Sequence, residues 1–145
     1  MKLDVKLEIH PYEGIAGIKF GMTPIQVRQI LGEPDRTFKK TPADALETDA
    51  FDTAGMYIFY KLPGTCEAIE LASPANPTFQ GKTLISQPFS HLREWFQSID
   101  PTTEIDETGL TSHQLGIGLY APFAIESPHE AVEGVIVFEQ GYYEV

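Results

Sequence analysis

The sequence has one cysteine, Cys66, so no internal disulfide can form and the fold cannot lean on oxidation; a cytoplasmic setting is expected. It has no apolar run of 18 residues, which excludes a membrane-spanning helix on length. Residues 1–9 alternate apolar and charged side chains, unlike the unbroken apolar stretch of a signal peptide. Basic residues are scarce, and beyond residue 82 they nearly vanish. Residues 83–145 hold Arg93 alone against ten Asp and Glu, a balance of −9, whereas residues 1–82 hold nine Lys and Arg against eleven acids, a balance of −2. A net charge of −11 argues against nucleic acid or anionic lipid as a partner, because both are bound by basic surfaces.

Catalytic and ligand motifs are missing too. Gly81-Lys82-Thr83 resembles the end of a phosphate-binding loop, but the glycine required five residues earlier is Asn76. The glycines at 14, 17 and 21 lack dinucleotide-binding spacing, and no Gly-x-Ser-x-Gly elbow exists. His10, His91, His113 and His129 are scattered, without the paired spacing of a zinc helix; for a triad, His113, a serine and an acid would have to meet in space. Asp100, Glu104, Asp106, Glu107 and Gly109 do not follow the EF-hand order and are expected to form a solvated acidic loop. The expectation is therefore a non-enzyme with no metal and no cofactor.

What is present is a folding sequence. At 145 residues, 42% hydrophobic and 11% aromatic, the chain can bury the core of one domain despite its 11 prolines. Residues 3–9 alternate with period two and predict a half-buried strand, and residues 15–20 a second. Thr23-Pro24 with Gln26 is a helix start: the hydroxyl caps, proline takes the first turn, and Gln26 reaches back. Val27, Ile30 and Leu31 share its apolar face, and Gly32 with Pro34 ends it. Residues 33–54 read as an irregular connection. Residues 56–61 and 67–71 read as a hairpin turning at Pro63-Gly64. After a loop over 72–81 and a short apolar stretch over 83–85, Ser86 or Gln87 is expected to cap a second helix. That helix has Pro88 in its first turn, an apolar face of Leu92, Trp95, Phe96 and Ile99, and an end at Asp100-Pro101. Residues 115–121 and 132–140 are expected strands.

Strand, proline-initiated helix and hairpin thus recur, over about 14–72 and again over about 81–140, as pseudo-repeats within one domain. The fold class expected is α+β: an antiparallel sheet with helices on one face and the other face open to a partner.

Residues 17–34, Gly-Ile-Lys-Phe-Gly-Met-Thr-Pro-Ile-Gln-Val-Arg-Gln-Ile-Leu-Gly-Glu-Pro, resemble the Gly-Met-Thr, Gln-Val, Leu-Gly-x-Pro signature of small outer-membrane lipoprotein A-like proteins. That family shares its fold with the β-lactamase inhibitor protein. The resemblance implies a tandem helix-plus-sheet scaffold of the kind used to grip another protein, and it carries over no functional residue. Because residues 1–9 do not read as a signal peptide and no cysteine lies near them, the membrane assembly of the lipoproteins is not expected of this chain. It is also broadly similar to small acidic bacterial immunity proteins.

The function expected is a protein-binding module of immunity or inhibitor type, its acidic half facing a basic partner such as a toxin. Candidate anchors are the aromatic and acidic residues of two segments: Tyr57 and Phe59 on one strand face, and Glu139, Tyr142, Tyr143 and Glu144 at the C-terminus. The alternative is a structural or regulatory subunit that self-associates through the sheet edge; a small-ligand binder or unrecognised enzyme comes third.

Overall fold

Residues 7–143 are described by the computed structural model of the chain. Most of the strand expected over 3–9, and the anchor expected at Glu144, lie outside them. The fold begins with β1 (Ile9–His10), β2 (Gly14–Ile15) and β3 (Ile18–Lys19), a three-stranded antiparallel sheet. The single strand expected over 15–20 is split, because Ala16 (φ 59) and Gly17 (φ 81) form a two-residue turn that pairs Ile15 with Ile18. Two successive positive φ values are what a tight hairpin needs to match strand twist.

Helix α1 (Pro24–Leu31) follows as its sequence predicts. The Gln26 N–H donates to Thr23 Oγ1 at 3.3 Å and the Thr23 N–H donates to Gln26 Oε1 at 3.0 Å, closing the capping box. The N–H of Gly32 reaches back to the carbonyl of Arg28 at 2.8 Å.

The connection over 33–54 is not irregular. It contains β4 (Arg36–Phe38), β5 (Thr48–Phe51) and a turn of 3-10 helix (Asp52–Ala54). Strand β5 escapes notice because it is buried on both faces with a polar residue on each, Asp49 towards the helices and Thr48 on the opposite face, so period-two hydrophobicity is broken. Then come β6 (Met56–Lys61) and β7 (Thr65–Ala72), the expected hairpin. A bulge lies between them: Phe59 pairs with Ala68 but Tyr60 with Cys66, leaving Glu67 as the extra residue.

The second half repeats the element order. Residues β8 (Thr78–Phe79) and β9 (Lys82–Thr83) form a hairpin turning at Gln80 (φ 49) and Gly81 (φ 79). This is the turn geometry seen at Ala16 and Gly17, so Gly81-Lys82-Thr83 belongs to a hairpin rather than a phosphate loop. Helix α2 (Phe89–Ile99) starts at Pro88, with no side-chain cap from Ser86 or Gln87. Its first-turn donors are satisfied from far along the chain: Phe89 N–H to the Glu130 carbonyl at 2.9 Å and Ser90 N–H to the Pro128 carbonyl at 2.7 Å. A cap of that kind cannot be read locally.

Beyond α2 lie β10 (Glu104–Asp106), β11 (Gly109–Ser112), β12 (Ile117–Tyr120) and β13 (Gly134–Phe138). The acidic loop expected over 100–109 is therefore largely an edge hairpin, β10 against β11. Eight strands form one antiparallel sheet in the order β10-β11-β12-β13-β7-β6-β5-β4. Each half supplies hairpin, helix and four-stranded meander, and the two last strands, β7 and β13, pair at the centre.

The helices and one sheet face share a single core. Val27 and Leu31 of α1 and Phe89, Leu92 and Phe96 of α2 join Met56, Ile58, Ile69, Leu71, Leu119, Val135 and Val137 in one buried cluster. Each such side chain contributes about 1.5–3 kcal/mol by leaving water. Cys66 is buried in the same cluster at the start of β7, and burial pushes its thiol up to about 12, so it stays protonated and inert. Among the described residues, no helix is long and apolar enough to cross a membrane.

Candidate functional site: the outer face of the sheet

Side chains alternate across a strand, so residues that pair directly in the ladder share a face. On the face away from the helices, one row runs Asp106, Gly109, Tyr120, Gly134, Ala72. The next runs Glu104, Thr111, Gly118, Ile136, Glu70, Tyr57, Ala50, Arg36. A third contains Phe138, Ala68 and Phe59. The first two rows are poor in bulk; the third is aromatic.

Over the first two rows lies an open trough of about 600 Å³, lined by Glu70, Asp106, Glu133, Tyr120, Ile136 and Tyr143 above Gly109, Gly118 and Gly134. It has three carboxylates and no Lys or Arg in its lining. Asp106 accepts from the N–H of Thr108 at 2.8 Å and so holds the β10–β11 turn. Burial among its strand neighbours raises Glu70 above the usual carboxylate range, with the Lys40 charge opposing. The side chain is open to solvent on its trough side, and both facts fit a carboxylate standing between walls.

The third row is closed. Phe59, Ala68 and Phe138 are buried beneath Tyr12, Tyr57, Ile136 and Tyr142. Phe138 stacks on Tyr142 at 5.7 Å and meets Tyr143 edge-on at 5.0 Å; Lys40 Nζ sits 4.0 Å above the Phe59 ring. Tyr12 donates from its hydroxyl to the carbonyl of His113. The segment around Tyr142 thus packs onto the sheet and forms a second, smaller core.

The candidate anchors are divided by this arrangement. Phe59 is 5% exposed, so the face expected to leave it available instead buries it as a packing residue. Tyr57 is half-buried, and burial followed by a hydrogen bond to Asp52 raises its hydroxyl. Tyr142 is half-buried, with burial pushing its phenol up to about 12. Glu139 is ion-paired with Lys61. Tyr143 alone stands out, 54% exposed at the trough wall. Opposite in sequence but on the same lining is Tyr120, 50% exposed. Sequence reading missed Tyr120, Glu70, Asp106 and Glu133; the signal it offered was Gly118 and Gly134, glycines inside apolar strand runs.

His113 does not meet a serine. Its Nε2 lies 3.1 Å from Glu104 Oε1, whereas neighbouring Ser112 is buried and donates from Oγ to Asp100 Oδ2 at 2.7 Å. Successive residues of the chain are turned to different surroundings. Asp100, the residue that caps the C-terminal end of α2, is fully buried; burial raises its carboxyl, but hydrogen bonds from Ser112, Thr102 and Thr103 outweigh it and hold the group low. Among the described residues, no group of three or more His, Cys, Asp or Glu could hold a metal ion.

No family model matches the chain, and no curated protein matches it. Among solved structures, the 1.5 Å crystal structure of an extracellular protein containing an SCP domain, from Bacillus anthracis str. Ames, is similar in fold. The TM-score is 0.53 at 9% identity, covering 97% of this chain and 50% of that one. The chain spans about half the length of that protein. At this identity the likeness is one of fold alone.

Proposed function

We propose that the chain is a protein-binding module, of the immunity or inhibitor kind, that receives a basic partner such as a toxin on the outer face of its sheet. The observation carrying this reading is the trough: three carboxylates and two half-exposed tyrosines over a glycine floor, with no basic residue in the lining. Complementary charge speeds encounter and selects partners, and tyrosine supplies large contact area at low entropic cost. The resemblance of residues 17–34 to the lipoprotein A-like and β-lactamase inhibitor scaffold supports the reading, since that scaffold carries a tandem helix-plus-sheet order. The lone cysteine supports the cytoplasm as its compartment.

The test is capture of partners at low and high salt by the native chain and by a Glu70→Gln, Asp106→Asn, Glu133→Gln variant. A specific partner that is retained equally by both chains and at both salt concentrations would refute the acidic-face reading. The second reading, self-association through a sheet edge, draws on the unlike ends of the sheet: Arg36 lies on edge strand β4, Glu104 and Asp106 on edge strand β10. Sedimentation that finds concentration-dependent oligomers, lost on Arg36→Glu, would favour it.

A further inference from the structure

We propose that the trough is a socket for a single arginine side chain carried on an exposed loop of the basic partner; this deepens the binding reading above and rests on it. The floor is the first observation. Ten of the 12 glycines adopt positive φ, where glycine serves the backbone; Gly118 and Gly134, both in strands, do not. Glycine inside a strand costs about 0.5–1 kcal/mol relative to alanine and marks a place where another group comes close. A Cβ on Gly134 would meet no atom nearer than 3.5 Å, an ordinary contact, so packing does not demand glycine there. A Cβ on Gly118 would meet Ile136 Cγ2 at 2.9 Å, a methyl borne on the branched Cβ of its directly paired neighbour, so packing against Ile136 accounts for that glycine. What Gly134 preserves is the depth of the trough.

Charge is the second observation. Glu70, Asp106 and Glu133 make no ion pair among the described residues, although the chain pairs four other carboxylates. Burial raises Glu70, with the charge of Lys40 opposing but forming no ion pair with it. The walls are the third. A guanidinium is planar, weakly hydrated and able both to fork onto a carboxylate and to stack on a tyrosine face, whereas an ammonium is a compact, strongly hydrated point charge. Solvent-exposed carboxylates sharing one lining with Tyr120 and Tyr143 match the former. A volume of about 600 Å³ is of the size that holds a small ligand, enough for the side chain and the backbone that carries it.

The experiment titrates the isotope-labelled full chain, at low salt, with the capped peptide Gly-Gly-Arg-Gly-Gly and its lysine counterpart, following backbone amides by NMR. The expected result is saturable movement of the Gly109, Gly118 and Gly134 signals with the arginine peptide. Binding should be about tenfold weaker for the lysine peptide and about tenfold weaker for Glu70→Gln, as for loss of one bidentate charged pair. Gly134→Val, which fills the floor, should keep its melting temperature and lose the response; Glu94→Gln, on the exposed side of α2, should keep both. Equal or tighter binding of the lysine peptide at the trough, or an arginine response indifferent to Glu70→Gln and Gly134→Val, overturns the socket and leaves the acidic binding face standing. Absence of movement on the outer face with either peptide overturns both.

Discussion

Replacing Arg28 by methionine tests the buried network that ties α1 to the sheet. Asp49 is 1% exposed and accepts three hydrogen bonds: from Arg28 Nε at 3.0 Å, from Arg28 Nη2 at 2.6 Å and from the Tyr60 hydroxyl at 2.9 Å. Burial, then the neighbouring Asp49, holds the Tyr60 phenol far above its ordinary value, so it is a donor at neutral pH. Arg28→Met keeps the apolar stem and removes two of the three donors. Stranding a buried charge in this way costs about 3–5 kcal/mol. Because the Arg28 side chain is 33% exposed, water reaches part of the vacated site, and the low end, about 3 kcal/mol, is expected. That is a large share of a total stability of about 5–15 kcal/mol. Urea unfolding followed by far-ultraviolet circular dichroism reads it as a lower midpoint with an unchanged slope. The triple variant Arg28→Met, Asp49→Leu, Tyr60→Phe removes the charge and both sets of donors together and should recover most of the loss, since an apolar replacement of a buried pair is often neutral. A loss below about 1 kcal/mol for Arg28→Met, or a triple variant no more stable than the single, would refute the account.

Three further outcomes follow from the same coordinates. A carboxylate raised by burial binds its proton more tightly in the folded chain than in the unfolded one, so ionising Glu70 costs stability. Glu70→Gln should therefore be more stable than the native chain at pH 7, with the advantage growing as pH rises through the unfolded value near ~4.3 and vanishing below it; thermal melts across pH check this, and a variant that is less stable at pH 7 contradicts it. Asp100 is the opposite case: held low when folded, it contributes stability above the unfolded value, lost as pH falls through the folded one. Ser112→Ala removes one of its donors and should cost about 1–3 kcal/mol at pH 7, measured by urea unfolding. Phe59→Ala should cost about 3–5 kcal/mol, the signature of a packing residue; a variant of native stability would return Phe59 to the list of exposed anchors.

Much of the fold was legible because its signals are local. Thr23, Pro24, Gln26 and Gly32 determine where α1 starts and stops through hydrogen bonds made within a few residues. Pro63-Gly64 places the β6–β7 hairpin, and the β-rich run over 56–61, apolar on both faces, marks its first strand. The site was less legible. Tyr57, Phe59 and Tyr142 look alike in sequence to Tyr120 and Tyr143, but the first three close a second core over β6, β7 and β13, while the last two keep about half their surface exposed at the trough. Strand β5 was hidden because Thr48 and Asp49 interrupt apolar alternation, and β4 and β10 because each is three residues long with a single apolar side chain. By itself, then, the sequence determined the α+β class, the helix ends, the central hairpin and the acidic excess of the second half, since each depends on residue type and short-range geometry. Only the tertiary structure decided that β13 pairs with β7, which brings Glu70 from one half into the lining of the same trough as Asp106 and Glu133 from the other; a pairing between residues more than sixty positions apart is set by the packing of the whole sheet.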